Sequence, residues 1–571
     1  MQSDSETGQS LSASASAKRS TGRRAQIQAE IDNVARRSGQ RNLSLPQHYK
    51  VDAGLKHSDP RTSDPDPSAF RLAGSNYAIS GDGSGTIEVD IPDKSIFHFV
   101  NPSPANRPKN VILRDFENVK QPYSRYDQRS GLTDDYFAVR FEATETCRAE
   151  NLHFDSPELA LTFQYAQTVL YAKANQFNAG AAVNVAANTI TVNAHDIATG
   201  DKVQVRKNGA ASAPQGIVIG QSYYGIRIDS NRIKLATSRA NARSGKAIDL
   251  KSSGSGQLVV SSFRRGSFRN RSANCTGQNV RYMFLQLFGE QGGVHSGHRA
   301  SGLAASGKGR APGHGVRFAG YPFAPCEGNF VSGHMFTRFA NGFSLQQFSR
   351  SNQGSVTAVD CQNGISVART TDGTLTMGDY TAAEATPQGN VMILVARDCD
   401  FGIYDDGGSH NSYDVNIFGA KQKGIYLSDG GGVEGLATGN KYVGNVRTTG
   451  KRAVEIKGPN TTVDLDISGG GISVTDYGLL CTANGLRGSI KVQNCTEGLR
   501  ISGNNARLTV RVTNTRTALV INGDGCIVDC DIDGDVIIGG NNNKLTGTVR
   551  GTITLGGSPK NNDLSNVRYR G

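Results

Sequence analysis

The clearest pattern along the chain is a short alternation of apolar and variable positions that keeps returning. In the C-terminal third the repeats read Gly402-Ile-Tyr-Asp, Gly424-Ile-Tyr-Leu, Ala453-Val-Glu-Ile, Gly478-Leu-Leu-Cys, Gly498-Leu-Arg-Ile, Ala518-Leu-Val-Ile, Asp535-Val-Ile-Ile and Thr552-Ile-Thr-Leu. Their starts lie 22, 29, 25, 20, 20, 17 and 17 residues apart, so the period shortens toward the C-terminus. After a Gly/Asn turn, most starts are followed by a second alternating run, such as Val463-Asp-Leu-Asp-Ile or Leu508-Thr-Val-Arg-Val. Successive side chains of a strand point to opposite faces. The pairs Ile425/Leu427, Val454/Ile456, Leu479/Cys481, Leu499/Ile501, Leu519/Ile521, Val536/Ile538 and Ile553/Leu555 therefore point inward. Stacked coils put like residues above like, so the core becomes a set of apolar ladders. The leucine-rich repeat has a similar period, but its L-x-x-L-x-L-x-x-N pattern is missing. The predicted fold is all-β: a right-handed parallel β-helix.

The same register predicts an outward column of Tyr404, Tyr426, Glu455, Leu480, Arg500, Val520, Ile537 and Thr554. Leu480, Val520 and Ile537 are apolar where water would favour polar groups. Stacked on one face, they read as a subunit interface, with a homotrimer burying it around a threefold axis. Asp405 falls where Leu427 and Ile456 point inward. It must leave the strand or be a buried, hydrogen-bonded acid.

The rest of the chain divides by composition. Residues 1–70 are rich in Ser, Asp, Pro, Arg and Gln and read as a linker-like attachment segment. Within it, Ile27, Ile31 and Val34 fall at i, i+4, i+7 and predict a short amphipathic helix between Arg23 and Arg37. Residues 71–175, with runs such as TIEVDI and NVILRDF between turn residues, read as the start of the β-helix. Residues 176–261 read as a small inserted β module, and 262–571 as the β-helix body.

Composition sharpens this picture. Gly is frequent at 69 of 571 residues, Met is scarce at 5 and Trp is absent. Gly weakens helix interiors by roughly 1 kcal/mol each, which favours a chain of short strands and many turns. The net charge is +12, with basic and acidic residues interleaved. That suits affinity for acidic polymers or anionic surfaces rather than a nucleic-acid stripe. No basic n-region and apolar h-region open the chain, so no secretory signal is read. No apolar run predicts a membrane span. The nine Cys form no zinc-like pairs of pairs. Cys361, Cys399 and Cys495 each begin C-x-x-G before a repeat start, as small thiols buried at one turn position would. Cys526 and Cys530 lie too far apart on an extended strand to bridge directly.

Three segments carry candidate chemistry. The first is Asp405, Asp406 and Asp414, with His410 between them, a set able to supply paired carboxylates. The second is 291–334, holding His295, His298, His314 and His334. It reads as a mobile, basic, Gly-rich loop whose Lys308, Arg310 and Arg317 would bind anionic sugars or phosphates. His295-Ser-Gly-His298 lacks a third ligand at recognisable spacing, so neither metal nor cofactor is expected. The third is a long excursion with Asp372, Asp379, Tyr380 and Glu384, where Tyr380 would stack on a sugar ring.

Two resemblances add to these readings. Thr199-Gly200-Asp201-Lys202-Val203 and the run from Tyr223 to Leu250 resemble a module of phage tail proteins. The coiled architecture resembles that of bacteriophage tailspikes. Gly313-His314-Gly315 with Arg317 is similar to an element of polygalacturonase-like enzymes, whose preceding Asn-Thr-Asp and Asp-Asp elements are absent. The tailspike resemblance implies a virion protein, made in the host cytoplasm, that meets other virion proteins through its N-terminal segment. It further implies recognition of bacterial surface polysaccharide, or its cleavage by carboxylates on the outer face of adjacent coils. No catalytic constellation is specific enough to assert an enzyme, so the sequence reads first as an appendage and second as a depolymerase.

Overall fold

The computed structural model describes residues 11–12, 41–45, 48–51, 70–72, 75–89, 96–100, 107–120, 137–157, 159–164, 175–193, 195, 197–262, 266–304, 309–320, 324–368, 385–429 and 437–570. The expected helix at 23–37 lies outside them. Among the described residues, 35 strands join into one continuous parallel system. Each strand pairs with its counterpart one coil on. Phe401–Asp406 pairs with Lys423–Leu427, which pairs with Arg452–Ile456. On the next face, Ser412–Ala420 pairs with Lys441–Thr448, which pairs with Thr462–Ser468. This is a parallel β-helix.

The core follows from the alternation. One inward column runs in register through Phe99, Phe141, Phe163, Leu287, Phe318, Leu345, Val367, Asp405, Leu427, Ile456, Cys481, Ile501, Ile521 and Ile538. Its N-terminal part is aromatic: Phe99 stacks on Phe141 at 4.4 Å and Phe141 on Phe163 at 4.8 Å. Its C-terminal part is aliphatic. All nine cysteines are free and buried, filling interior positions.

A second interior column sits at a turn. Gly328, Ser351, Gly389, His410 and Gly439 all adopt positive φ, between 51° and 69°. Each is followed by a buried Asn: Asn329, Asn352, Asn390, Asn411 and Asn440. The N–H of each of the first four donates to the side-chain Oδ1 of the next, at 2.9, 3.1, 3.0 and 2.9 Å. The amide nitrogens return bonds, as Asn411 Nδ2 does to the Pro387 carbonyl and Asn440 Nδ2 to that of Gly408. A turn folded into the core would otherwise strand backbone donors at a cost of about 1–3 kcal/mol each.

The described residues of 291–334, a segment expected as a mobile loop, belong to the coils of the β-helix instead. It holds the strands Val294–Ser296, Arg299–Gly302, Ala311–Ala319 and Phe330–Thr337. Its glycines looked loop-like because they crowd the corners: Gly297, Gly328 and Gly333 have φ of 65–68°. His295, His298 and His334 consequently point into the core.

One body departs from the helix. The strands Gln176–Asn178, Val183–Asn184, Thr189–Thr191, Lys202–Ser212, Ser222–Arg227, Arg232–Ala236 and Ser255–Ser262 form an antiparallel sheet with its own core around Val203, Val205, Tyr223, Leu235 and Leu258. Leu159–Gln164 before it and Met283–Phe288 after it pair directly, so the chain leaves the helix and rejoins it at the next coil. No helix among the described residues is long and apolar enough to cross a membrane.

Candidate functional site

Outward side chains of the Phe401–Asp406 face form three parallel columns. The middle one runs Thr162, Gln286, Arg317, Ser344, Ser366, Tyr404, Tyr426, Glu455, Leu480, Arg500, Val520, Ile537 and Thr554. Thr162, Gln286, Ser344 and Ser366 are buried, whereas Tyr404 and Tyr426 are partly exposed.

An aromatic platform lies on these open coils. The Phe401 and Tyr404 rings meet edge-on at 5.3 Å, and Tyr404 meets Tyr426 at 5.2 Å. Lys423 Nζ sits 4.0 Å and Lys457 Nζ 5.5 Å from the centre of the Tyr426 ring. Asp406 closes one edge and accepts a hydrogen bond from Ser428. On the other, Glu455 lies beneath Lys423 at 2.7 Å and Arg452 at 2.9 Å. Burial raises the Glu455 carboxyl, but hydrogen bonds from Lys423 and Arg452 outweigh it and hold the group below its ordinary range. Glu455 is thus an ionised counter-ion, not a proton donor. Burial and the neighbouring Asp406 charge raise the Tyr404 hydroxyl, so the ring stays neutral. Aromatic faces bordered by ammonium and carboxylate groups offer both an apolar surface and polar partners. A sugar ring, with its C–H face and hydroxyl rim, has the matching character.

The structure separates the three candidate acids. Asp405 is fully buried in the inward column. It accepts hydrogen bonds from Gly408 N–H at 2.7 Å, Tyr442 Oη at 3.1 Å and Tyr413 Oη at 3.2 Å. The two tyrosine rings stack at 5.1 Å inside the coil. Burial pushes the Asp405 carboxyl up to about 6. It is shut in the core, away from any surface ligand. Asp414 is exposed on the strand Ser412–Ala420, which belongs to another face of the coil. Only Asp406 borders the platform.

The other expected residues are placed as follows. His314 is buried, accepts from Asn341 Nδ2 at 3.1 Å and is pushed down to about 3 by burial and then by Arg317. Arg317 donates to Gln346 Oε1 at 2.6 Å in the same outward column as the tyrosines, three coils earlier. Arg310 spans Asp400 and Asp360 at 2.7 and 2.9 Å and ties coils together rather than facing a ligand. Lys308, Asp372, Asp379, Tyr380 and Glu384 lie outside the described residues. Leu480 and Ile537 are half-buried and Val520 is buried. Phe401 and Lys423 went unnoticed in the sequence. Their signal was the doubled Gly-Ile-Tyr, which sets two tyrosines one above the other, each with Phe401 or Lys423 just before the Gly.

The histidines form a proton-ordered chain in the core. Cys275 N–H donates to His298 Nδ1, so His298 Nε2 carries the proton toward Ser272 Oγ, 2.7 Å away. Ser272 then donates to His295 Nδ1, also at 2.7 Å. Burial holds His298 down to about 3 and His295 and His334 well below the ordinary range. Among the described residues no group of three or more His, Cys, Asp or Glu is arranged to hold a metal ion.

No protein-family model matches the chain, and comparison with curated proteins finds no match. Among solved structures, the chain is similar to a double mutant of the tailspike of E. coli bacteriophage HK620, with 10% identity, 93% of this chain and 74% of that one covered, and a TM-score of 0.42. Another double mutant of that tailspike, in complex with pentasaccharide, matches over the same shares at 10% identity and a TM-score of 0.40. PfbA, a surface adhesin of Streptococcus pneumoniae, matches at 10% identity, with 88% and 87% covered and a TM-score of 0.33.

Proposed function

We propose that this chain is a virion appendage that recognises bacterial surface glycan during adsorption. The observation that carries glycan recognition is the platform of Phe401, Tyr404 and Tyr426, opening where the outward column changes from buried polar residues to partly exposed rings. The tail-protein-like run in residues 176–261 supports the virion setting. The platform reads as a binding site rather than a cleaving one. Its two bordering carboxylates are Asp406 and Glu455, and Glu455 is bound by cations. Glycoside hydrolysis needs one carboxyl kept protonated beside a second that is ionised.

Equilibrium binding of oligosaccharides from a susceptible host's surface polysaccharide tests this. Tyr404→Ala with Tyr426→Ala is expected to abolish detectable binding with the thermal midpoint nearly unchanged. Binding that survives both substitutions removes the platform. New reducing ends that appear with the native chain and vanish with Asp406→Asn would favour the depolymerase reading. In the same proposal the chain assembles as a homotrimer through the Leu480, Val520 and Ile537 face. Val520→Asp is expected to lower the mass measured by light scattering, and a monomeric native chain would overturn that part.

A further inference from the structure

A second groove lies on a different face of the helix, near its N-terminal end. It encloses about 650 Å³ and is lined by Asn76, Asn110, Ile112, Thr146, Arg148, Arg269 and Arg271. The register explains the charge. Ile112, Arg148, Arg271, Val294 and Phe330 occupy one outward column on successive coils. Adjacent strands lie roughly 4.8 Å apart, so two guanidinium stems rise side by side. Like charges directly opposite on neighbouring strands destabilise a sheet unless something neutralises them.

Little in the protein does so. Arg269 pairs with Glu145, which also takes Lys109 at 3.0 Å. Arg148 meets Glu150 only at 3.9 Å. The guanidinium of Arg271 forms no ion pair or hydrogen bond among the described residues, and the residue is exposed. The corner column beside it, two residues earlier on the same coils, is hydrogen-bonding: Thr146 Oγ1 donates to Asn110 Oδ1, and Asn110 Nδ2 donates to Asn76 Oδ1 at 2.9 Å. Among the described residues Asn76 Nδ2 has no acceptor, so it can donate. Further along the column Val294 and Phe330 are 40% and 45% exposed. Phe330 stands two coils, roughly 10 Å, beyond Arg271. That is about the reach of two linked sugar rings.

We infer that this groove binds an anionic glycan, with a sugar-borne carboxylate or phosphate on Arg148 and Arg271 and the following ring against Phe330. This names the class of glycan for the proposed function and rests on that reading, but it uses a surface separate from the tyrosine platform. An oxyanion offers several acceptor positions and can take both guanidiniums and an amide donor at once.

The test measures affinity of the full-length chain for three labelled probes: an oligogalacturonide, a phosphomannan oligosaccharide and a neutral dextran oligosaccharide. Each is measured between about 10 and about 150 mM salt, over which the screening length falls from roughly 30 to 8 Å. The double variant Arg148→Gln/Arg271→Gln is expected to weaken an anionic probe about tenfold and to flatten its salt dependence. Loss for oligogalacturonide identifies carboxylate, and loss for phosphomannan identifies phosphate. Phe330→Ala should weaken the same probe without changing the salt slope. Unchanged affinity for both anionic probes overturns the inference, even if the tyrosine variants abolish glycan binding and so uphold the platform. Anionic binding that depends on the arginines and ignores the tyrosines does the reverse. A drop in oligomer mass for the double variant, with probe affinities intact, would make the groove a subunit contact and overturn the inference as well.

Discussion

Two stretches of the helix solve one turn problem in opposite ways. From Asn329 to Asn440 the bonding side chains are inside the coil, each Asn accepting from the backbone of the coil before. In that column Thr461, Leu486, Ala506 and Cys526 follow, and the ladder moves outside. Asn504 N–H donates to Asn484 Oδ1 at 2.7 Å, and Asp524 N–H donates to Asn504 Oδ1 at 2.8 Å. Both side chains are exposed. The interiors differ accordingly. The earlier coils enclose His295, His298, His334, Glu290 and Asp405, whereas the later coils enclose chiefly aliphatic side chains. Long, irregular coils leave interior room that polar groups fill in mutually bonded sets. Short coils of 17–20 residues leave room only for the aliphatic ladders.

The largest predicted consequence is a difference in acid sensitivity. His298 and His314 are held to about 3 by burial, against 6.5 when unfolded. A base with a depressed pKa contributes stability that is present above 6.5 and lost as pH falls toward 3. At pH 5 each has given up about 2 kcal/mol, and His295 and His334 act in the same direction. The buried carboxyls oppose this. Asp405, raised to about 6, and Glu290, raised to about 8, contribute stability below their unfolded values that is lost as pH rises. Between pH 7 and pH 5 they regain about 1 and about 3 kcal/mol. His298 and His314 together about balance the two carboxyls, and His295 and His334, shifted in the same direction as the other histidines, tip the sum, so acid should open the coils around 270–440 before those of 441–570. Hydrogen exchange at pH 7 and pH 5, corrected for intrinsic rates, measures this by segment. Equal loss of protection in both regions would break the comparison.

What could be read from the sequence divides along the same line. Where coils are short and aliphatic, alternation alone placed Leu499, Ile501, Leu519 and Ile521 inward and Arg500 and Val520 outward. It also put Asp405 in register with the inward Leu427 and Ile456, leaving a choice between an exit from the strand and a buried, hydrogen-bonded acid, and the structure shows the buried acid. The polar interior resisted the same treatment. His295, His298 and His334 sit among glycines, and a rule that sends polar residues outward turns that stretch into a loop. The asparagine ladder had a signal, an Asn directly after Gly, Ser or His at five successive coils. Its spacing is irregular, however, because excursions lengthen the coils, so no fixed period exposes it. The tyrosine platform was half legible: the outward direction of Tyr404 and Tyr426 followed from register, but their meeting with Phe401 and Lys423 depends on cross-strand neighbours.

The next effect in size concerns one rung of the buried ladder. Asn390 accepts from Asn352 N–H and Asn352 Nδ2 and donates to the Ser349 carbonyl and Asn411 Oδ1. Asn390→Ala leaves the Asn352 N–H without an acceptor in a site water does not reach. The expected loss is about 3 kcal/mol. That is comparable with Leu519→Ala in the aliphatic coils, where a cavity and lost burial cost about 2–5 kcal/mol. Denaturant midpoints of the two variants compare them directly. A loss below 1 kcal/mol for Asn390→Ala would mean that the inner ladder is filler rather than support.

The smallest effect separates the two ladders most cleanly. Asn504→Ala removes an acceptor of the same chemistry, at 2.8 Å from Asp524 N–H, but on the outside of the coil. Water can take over that N–H at little cost, so global stability should fall by no more than about 0.5 kcal/mol. The local signature should be plain even so. The Asp524 amide, newly exposed to solvent, should exchange faster, while Cys526, whose N–H donates inward to Asn543 Oδ1, should keep its protection. If Asn504→Ala destabilises the chain as much as Asn390→Ala, the two ladders are equivalent and burial is not what gives the inner one its strength. If it leaves even Asp524 exchange unchanged, the outer side chains follow the backbone turn rather than hold it.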